Sequence, residues 1–134
     1  PAGVAQSRQP EVVLDRLLGD GIVLRGYSVA DATVADGNGL DVLLFWSVRE
    51  GFTPANWSIS LRTAGDGRAA QQDSPGPVFG LRSFASLQAG QTIVDAYRLD
   101  ATASTDELLL ILYRAKEGGF ENLVEETLWV GDSE

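Results

Sequence analysis

The stretch from Leu40 to Val48 sets the pattern for the chain. Leu40, Val42, Leu44, Trp46 and Val48 fall on one side of an extended backbone, and Leu43 and Phe45 on the other. Apolar residues on both sides of a run this short indicate a strand buried on two faces. Trp57, Ile59 and Leu61 then alternate with Ser58, Ser60 and Arg62, which predicts a strand with one wet face. Asp66-Gly67 tolerates positive φ and lets the chain reverse into a more polar strand from Arg68 to Asp73.

The same signals extend in both directions. Residues 1–10 are small and polar and read as a linker or frayed end. Glu11 to Leu18 fits either a short helix, through Val13, Leu14, Leu17 and Leu18, or an edge strand through Val12 and Val13; the all-β context tips it to strand. Gly19-Asp20-Gly21 is a turn before a strand from Ile22 to Val29, and Asp31 to Gly39 reads as a polar loop. Ser74 to Gln91 carries Pro75, Gly76, Pro77, Gly80 and Gly90, but also Val78, Phe79, Leu81, Phe84 and Leu87. It is therefore expected to be a packed crossover of the kind a Greek key requires. Strands follow at Thr92–Leu99, at Glu107–Arg114 with Leu108 to Tyr113 apolar on both faces, and at Asn122–Val130. Turns at intervals of about ten residues complete the pattern of an all-β antiparallel β-sandwich of seven to eight strands, immunoglobulin-like or jelly-roll. Residues 1–18 are assigned to a linker or N-terminal edge segment and 19–134 to the sandwich, with no internal repeat.

Composition narrows the function more than it defines one. The 134 residues suffice for one domain, and a 44% hydrophobic share gives it a normal core. The formal charge of -9, from 19 acidic and 10 basic residues, repels phosphate backbones and anionic lipid. Nucleic acid and direct membrane insertion are accordingly not expected. There is no cysteine and no histidine, so disulfides, thiolates and the commonest general base and metal ligand are all missing. No apolar run approaches the roughly 20 residues of a membrane span. A chain opening Pro1-Ala2-Gly3 is expected to be a piece of a longer protein.

An ordered set of short motifs resembles a known module. It begins with Gly19-Asp20-Gly21-Ile22 and Leu24-Arg25-Gly26-Tyr27. It continues through Leu43-Leu44-Phe45-Trp46, Asp66-Gly67-Arg68 and Gln72-Asp73-Ser74-Pro75, then Asp95-Ala96-Tyr97-Arg98-Leu99 and Leu112-Tyr113. Together these resemble the extracytoplasmic β-sandwich accessory module of bacterial membrane glycosyltransferases related to the protein mannosyltransferases. The resemblance spans about Leu18 to Val130. It implies a soluble extracytoplasmic domain of a membrane protein, placed beside a sugar-transferring enzyme, with glycan or the rest of its own protein as partner. In that module the crossover usually carries a Trp ahead of a Gly-Glu pair, whereas this chain has Phe84, Leu87 and Gly90-Gln91.

Candidate chemistry is sparse. No histidine can activate a serine, and the single lysine, Lys116, lies in an expected turn, so no catalytic residue is assigned and no cofactor is expected. Gly65-Asp66-Gly67-Arg68-Ala69-Ala70 fits a relaxed dinucleotide pattern, but no helix opens after it to receive a pyrophosphate. Asp31, Asp36, Asn38 and Asp41 offer oxygen ligands for Ca²⁺, although Leu40 interrupts an EF-hand spacing and solvated charge is the ordinary use of such a loop. Asp73 and Asp95 would serve a glycosidase only if they faced one another across a groove; the plainer role is to accept backbone N–H bonds. Trp46 and Trp57 share strand faces with Leu, Ile and Val and are expected in the core. Trp129, between Leu128 and Val130, is the candidate exposed ring for a sugar platform, with Gln71 and Arg98 as polar contacts. The alternative is that Trp129 packs under Val13 and Leu17.

Overall fold

The computed structural model describes residues 10–34, 37–52, 54–63, 71–80, 82–99 and 107–129. They form β1 (Val12–Gly19), β2 (Ile22–Val34), β3 (Gly37–Val48), β4 (Ser58–Thr63), β5 (Gln71–Ser74), β6 (Ile93–Leu99), β7 (Glu107–Lys116) and β8 (Gly119–Trp129). Sheet A has the order β1-β2-β3-β6 and sheet B the order β5-β4-β7-β8. Every neighbouring pair is antiparallel. The two sheets pack face to face as a β-sandwich and do not join into a barrel.

The alternation seen in the sequence decides what fills the interior. Leu40, Val42, Leu44, Trp46 and Val48 all lie in the inter-sheet core, against Ile59, Leu61, Leu108, Leu110 and Leu112 of sheet B. Phe45 points the other way, as expected, and is nonetheless only 1% exposed. It sits opposite Gly26, where an added Cβ would fall 2.7 Å from the Pro10 ring and 2.2 Å from the Val12 carbonyl oxygen. Only glycine lets the chain entering β1 lie this close to β2. The crossover after β5 is packed, with two 3-10 turns at Pro77–Gly80 and Phe84–Ser86. Phe84 is fully buried and meets Trp46 edge-to-face, 5.1 Å between centroids and 84° between planes, a preferred aromatic arrangement.

The segment that suited helix or strand is a strand. β1 pairs with β2 and carries an irregularity between Val13 and Arg16, where Asp15 has φ 48°. The turn after it is a two-residue hairpin loop in which Asp20 (φ 51°) and Gly21 (φ 77°) are both left-handed, the type I′ geometry that Asp-Gly favours. One expectation is corrected. Asp31 to Gly39 is not a loop, because β2 runs on to Val34 and β3 begins at Gly37. Polar residues there belong to a long hairpin whose ladder supplies the backbone hydrogen bonds, so side-chain polarity did not mark the strand ends.

Both open sides of the sandwich are tied. On the β1–β8 side, Arg16 forms an ion pair with Glu126. The Tyr27 hydroxyl accepts from the Trp129 N–H (2.9 Å) and donates to the Trp129 carbonyl (2.8 Å). On the β5–β6 side the crossover is fastened by Asp95, which accepts the Val78 N–H at 2.7 Å.

Candidate functional site

The register of sheet A places the most developed surface feature. Ser28 lies opposite Leu43 and Leu43 opposite Ala96; one pair further, Ala30 lies opposite Asp41 and Asp41 opposite Arg98. Residues paired across an antiparallel ladder share a face. These six lie between positions that point into the core, so their side chains make the outer face of the sheet. With Glu11 they border an open groove of about 490 Å³. Its floor is made of small or apolar groups, Ala30, Leu43 and Ala96, and its rim of polar ones.

Two fixed contacts shape that rim. The Arg98 guanidinium grips Asp41 through two bonds, Nε to Oδ1 at 2.7 Å and a terminal nitrogen to Oδ2 at 3.0 Å. This is the bidentate geometry that holds both groups in one plane. The hydrogen bond from Arg98 holds the Asp41 carboxyl below the usual carboxylate range. Across the groove the Glu11 N–H donates to the Ser28 hydroxyl at 2.9 Å, which pins the chain entering β1 as the opposite wall. The rim thus offers donors and acceptors on a rigid support, and the pair is exposed enough to be approached from solvent.

The structure sorts the residues expected from the sequence. Arg98 and Asp41, assigned to different sites, come together in this groove. Gln71 lies on β5 of sheet B, where its side-chain amide donates to Asp73. Trp129 lies on β8, at the other edge of sheet B from β5, so the expected trio does not assemble. Trp129 is 64% exposed and so is not packed under Val13 and Leu17, themselves 65% and 48% exposed. The oxygen-rich set also changes character. Asp31 pairs with Leu40 and Asn38 with Thr33 as rungs of the hairpin, Asp41 is taken by Arg98, and Asp36 lies outside the described residues. Glu11 and Ser28 were not singled out from the sequence. Only the sheet register and the Pro10–Gly26 approach put them at the groove.

Of the two carboxylates weighed for a glycosidase pair, Asp95 accepts a backbone N–H as expected, whereas Asp73 accepts from the Gln71 side chain. Asp95 is fully buried and accepts from Trp46 Nε1 (3.2 Å), the Tyr97 hydroxyl (2.7 Å) and the Val78 N–H. Burial pushes its carboxyl above the ordinary value, against the three hydrogen bonds. Asp73 is exposed on β5. A pair with one member sealed in the core cannot face a shared groove, so the glycosidase arrangement is not formed. The Gly65-to-Ala70 pattern lies outside the described residues. Of the six Trp and Tyr rings, Trp46, Trp57, Tyr27 and Tyr97 are buried; Tyr113 is half-buried and packs edge-on to the exposed Phe120.

Taken together, the groove can hold a polar ligand or an extended chain through fixed donors and acceptors, with a small apolar floor to lie against. Compared with known proteins, the chain matches no family model, no curated protein and no solved structure.

Proposed function

We propose that the chain is a non-catalytic accessory β-sandwich domain of a membrane-bound, glycosyltransferase-like protein on the extracytoplasmic side, and that the outer groove of sheet A is where it contacts glycan. The observation that carries this reading is the bidentate Arg98–Asp41 pair on the rim of an open groove. Sugar hydroxyls each donate and accept, and a fixed guanidinium–carboxylate plane offers both functions within one hydroxyl spacing. Glu11 and Ser28 add polar atoms on the facing wall. The ordered motifs resembling the glycosyltransferase-associated module support the setting.

A second reading is a structural or protein-interaction module without a small ligand. It is favoured by one specific feature: among the described residues the only aromatic one lining the groove, Tyr97, is 3% exposed, so none of them offers a ring for stacking. Titration of neutral oligosaccharides into the ¹⁵N-labelled domain separates the two. Glycan contact predicts saturable shifts at Ala30, Leu43 and Ala96 that vanish in Arg98→Ala. Shifts absent with every oligosaccharide, yet produced at the same amides by the remainder of its own protein, would establish the second reading instead.

A further inference from the structure

The chain contains one Asn-x-Ser/Thr triplet, Asn56-Trp57-Ser58; the other two asparagines, Asn38 and Asn122, have no hydroxyl residue two places on. Such a triplet recurs by chance, so its weight comes from where the fold puts the asparagine. Asn56 is exposed and lies in the irregular connection that enters β4, outside the strands. Among the described residues no hydrogen bond engages its side-chain amide. Asn38 and Asn122 are placed differently. Both lie within strands, and the Asn122 amide donates to Glu125 at 3.1 Å.

The residues on either side of Asn56 are firmly held. Asp20 accepts the Ala55 N–H and the Trp57 indole N–H, each at 2.8 Å. The Trp57 N–H donates to the Ala55 carbonyl at 3.1 Å, which closes a three-residue turn with Asn56 at its apex. Trp57 is 4% exposed, with the Arg114 guanidinium 4.6 Å from its ring centre, and Ser58 opens β4 opposite Tyr113. The apex is thus pinned on both sides, and the one uncommitted side chain is the one in solvent. A bulky hydrophilic group on Nδ2 of Asn56 displaces no packed neighbour.

We propose that Asn56 is a site of N-linked glycosylation, with a polyprenyl-diphosphate-linked oligosaccharide as the donor. Nδ2 of Asn56 attacks the anomeric carbon of the first sugar. The N–C bond forms as the C–O bond to the diphosphate breaks, polyprenyl diphosphate leaves with the bonding electrons, and the amide proton passes to a carboxylate of the transferase. The Ser58 hydroxyl is the group such a transferase reads two residues beyond the acceptor. The fold also sets the order of events. Drawing the triplet out of the folded domain would break both Asp20 bonds, expose Trp57 and strip Ser58 from its pairing with Tyr113. The sugar is therefore transferred before the domain closes, as the chain emerges on the extracytoplasmic side. This modification depends on that location, which is part of the function proposed above, but not on the groove of sheet A or on any glycan bound there.

Mass spectrometry of the full-length protein isolated from its own membranes tests the assignment. The peptide containing Asn56 should carry the mass of an oligosaccharide, lost in Asn56→Gln and in Ser58→Ala and kept in Ser58→Thr. Urea melts of Asn56→Gln and of enzymatically deglycosylated wild type should coincide, so that loss of the sugar is not loss of the fold. Membranes supplied with the lipid-linked donor should modify an unstructured peptide of residues 51–63 several-fold faster than the folded, unmodified protein. Protease added to the outside of spheroplasts reports separately on which side of the membrane the domain lies. An unmodified Asn56 in a domain that the protease reaches overturns the assignment and leaves the extracytoplasmic reading standing; a protected domain overturns both. Modification that survives Ser58→Ala, or that proceeds equally on peptide and folded protein, also overturns it.

Discussion

Asp20 and Asp95 do the same chemistry in two different places. Each carboxylate accepts an indole N–H and a backbone N–H: Asp20 from Trp57 and Ala55, both at 2.8 Å, and Asp95 from Trp46 and Val78. Each thereby fastens an irregular segment to the sandwich, the β3–β4 connection in one case and the crossover in the other. Their titration is nevertheless opposite. At the surface the hydrogen bond from Trp57 dominates and holds Asp20 below its ordinary value. In the core, desolvation outweighs three hydrogen bonds and raises Asp95. Partners alone do not set the behaviour of a carboxylate; the water it has lost decides the sign.

The comparison is broken most severely from the Trp side of the buried site. Trp46→Ala should destabilise the domain by about 3–5 kcal/mol, since it deletes a fully buried ring and also a donor to Asp95. Urea melts measure this, and a loss below about 1 kcal/mol would mean that the ring is not a core element.

Removing the acceptors gives a graded pair. Asp95→Ala leaves Trp46 Nε1, the Tyr97 hydroxyl and the Val78 N–H without their partner in a dry interior. It should cost about 3 kcal/mol. Asp20→Ala frees the Trp57 and Ala55 groups beside solvent, where water replaces the carboxylate in part, and should cost about 1 kcal/mol. Equal losses in the two variants would remove the distinction between core and surface.

The smallest effect is also the one that tests the sign directly. Because the folded state raises Asp95, its contribution is fully present below the unfolded value near 3.8 and declines as pH rises through the raised folded value. Asp20 is lowered, so its contribution is present above 3.8 and is lost as pH falls through the lowered folded value. Relative to wild type, Asp95→Asn should therefore gain ground as pH rises from about 3 to about 7, and Asp20→Asn should lose it. Urea midpoints across that range report both slopes, and parallel profiles for the two variants would contradict the assignment.

Much of this molecule was legible in one dimension. Period-two alternation is a local property, so Leu40 to Val48, Trp57 to Leu61 and Leu108 to Leu112 announced the core, and Asp20-Gly21 announced its turn through the φ values it tolerates. The role of Asp95 as an acceptor of a backbone N–H was also readable from a carboxylate set within an apolar strand. Where polarity and backbone pairing diverge, the sequence misled: the Asp31–Gly39 hairpin looked like a loop because its side chains do not report its ladder. The groove was out of reach for a different reason. Its rim joins Glu11, Ser28, Asp41 and Arg98 from β2, β3, β6 and the chain entering β1, and no pattern along the chain fixes which strands are neighbours. Local chemistry chose the strands; the long-range pairing of those strands chose which side chains meet.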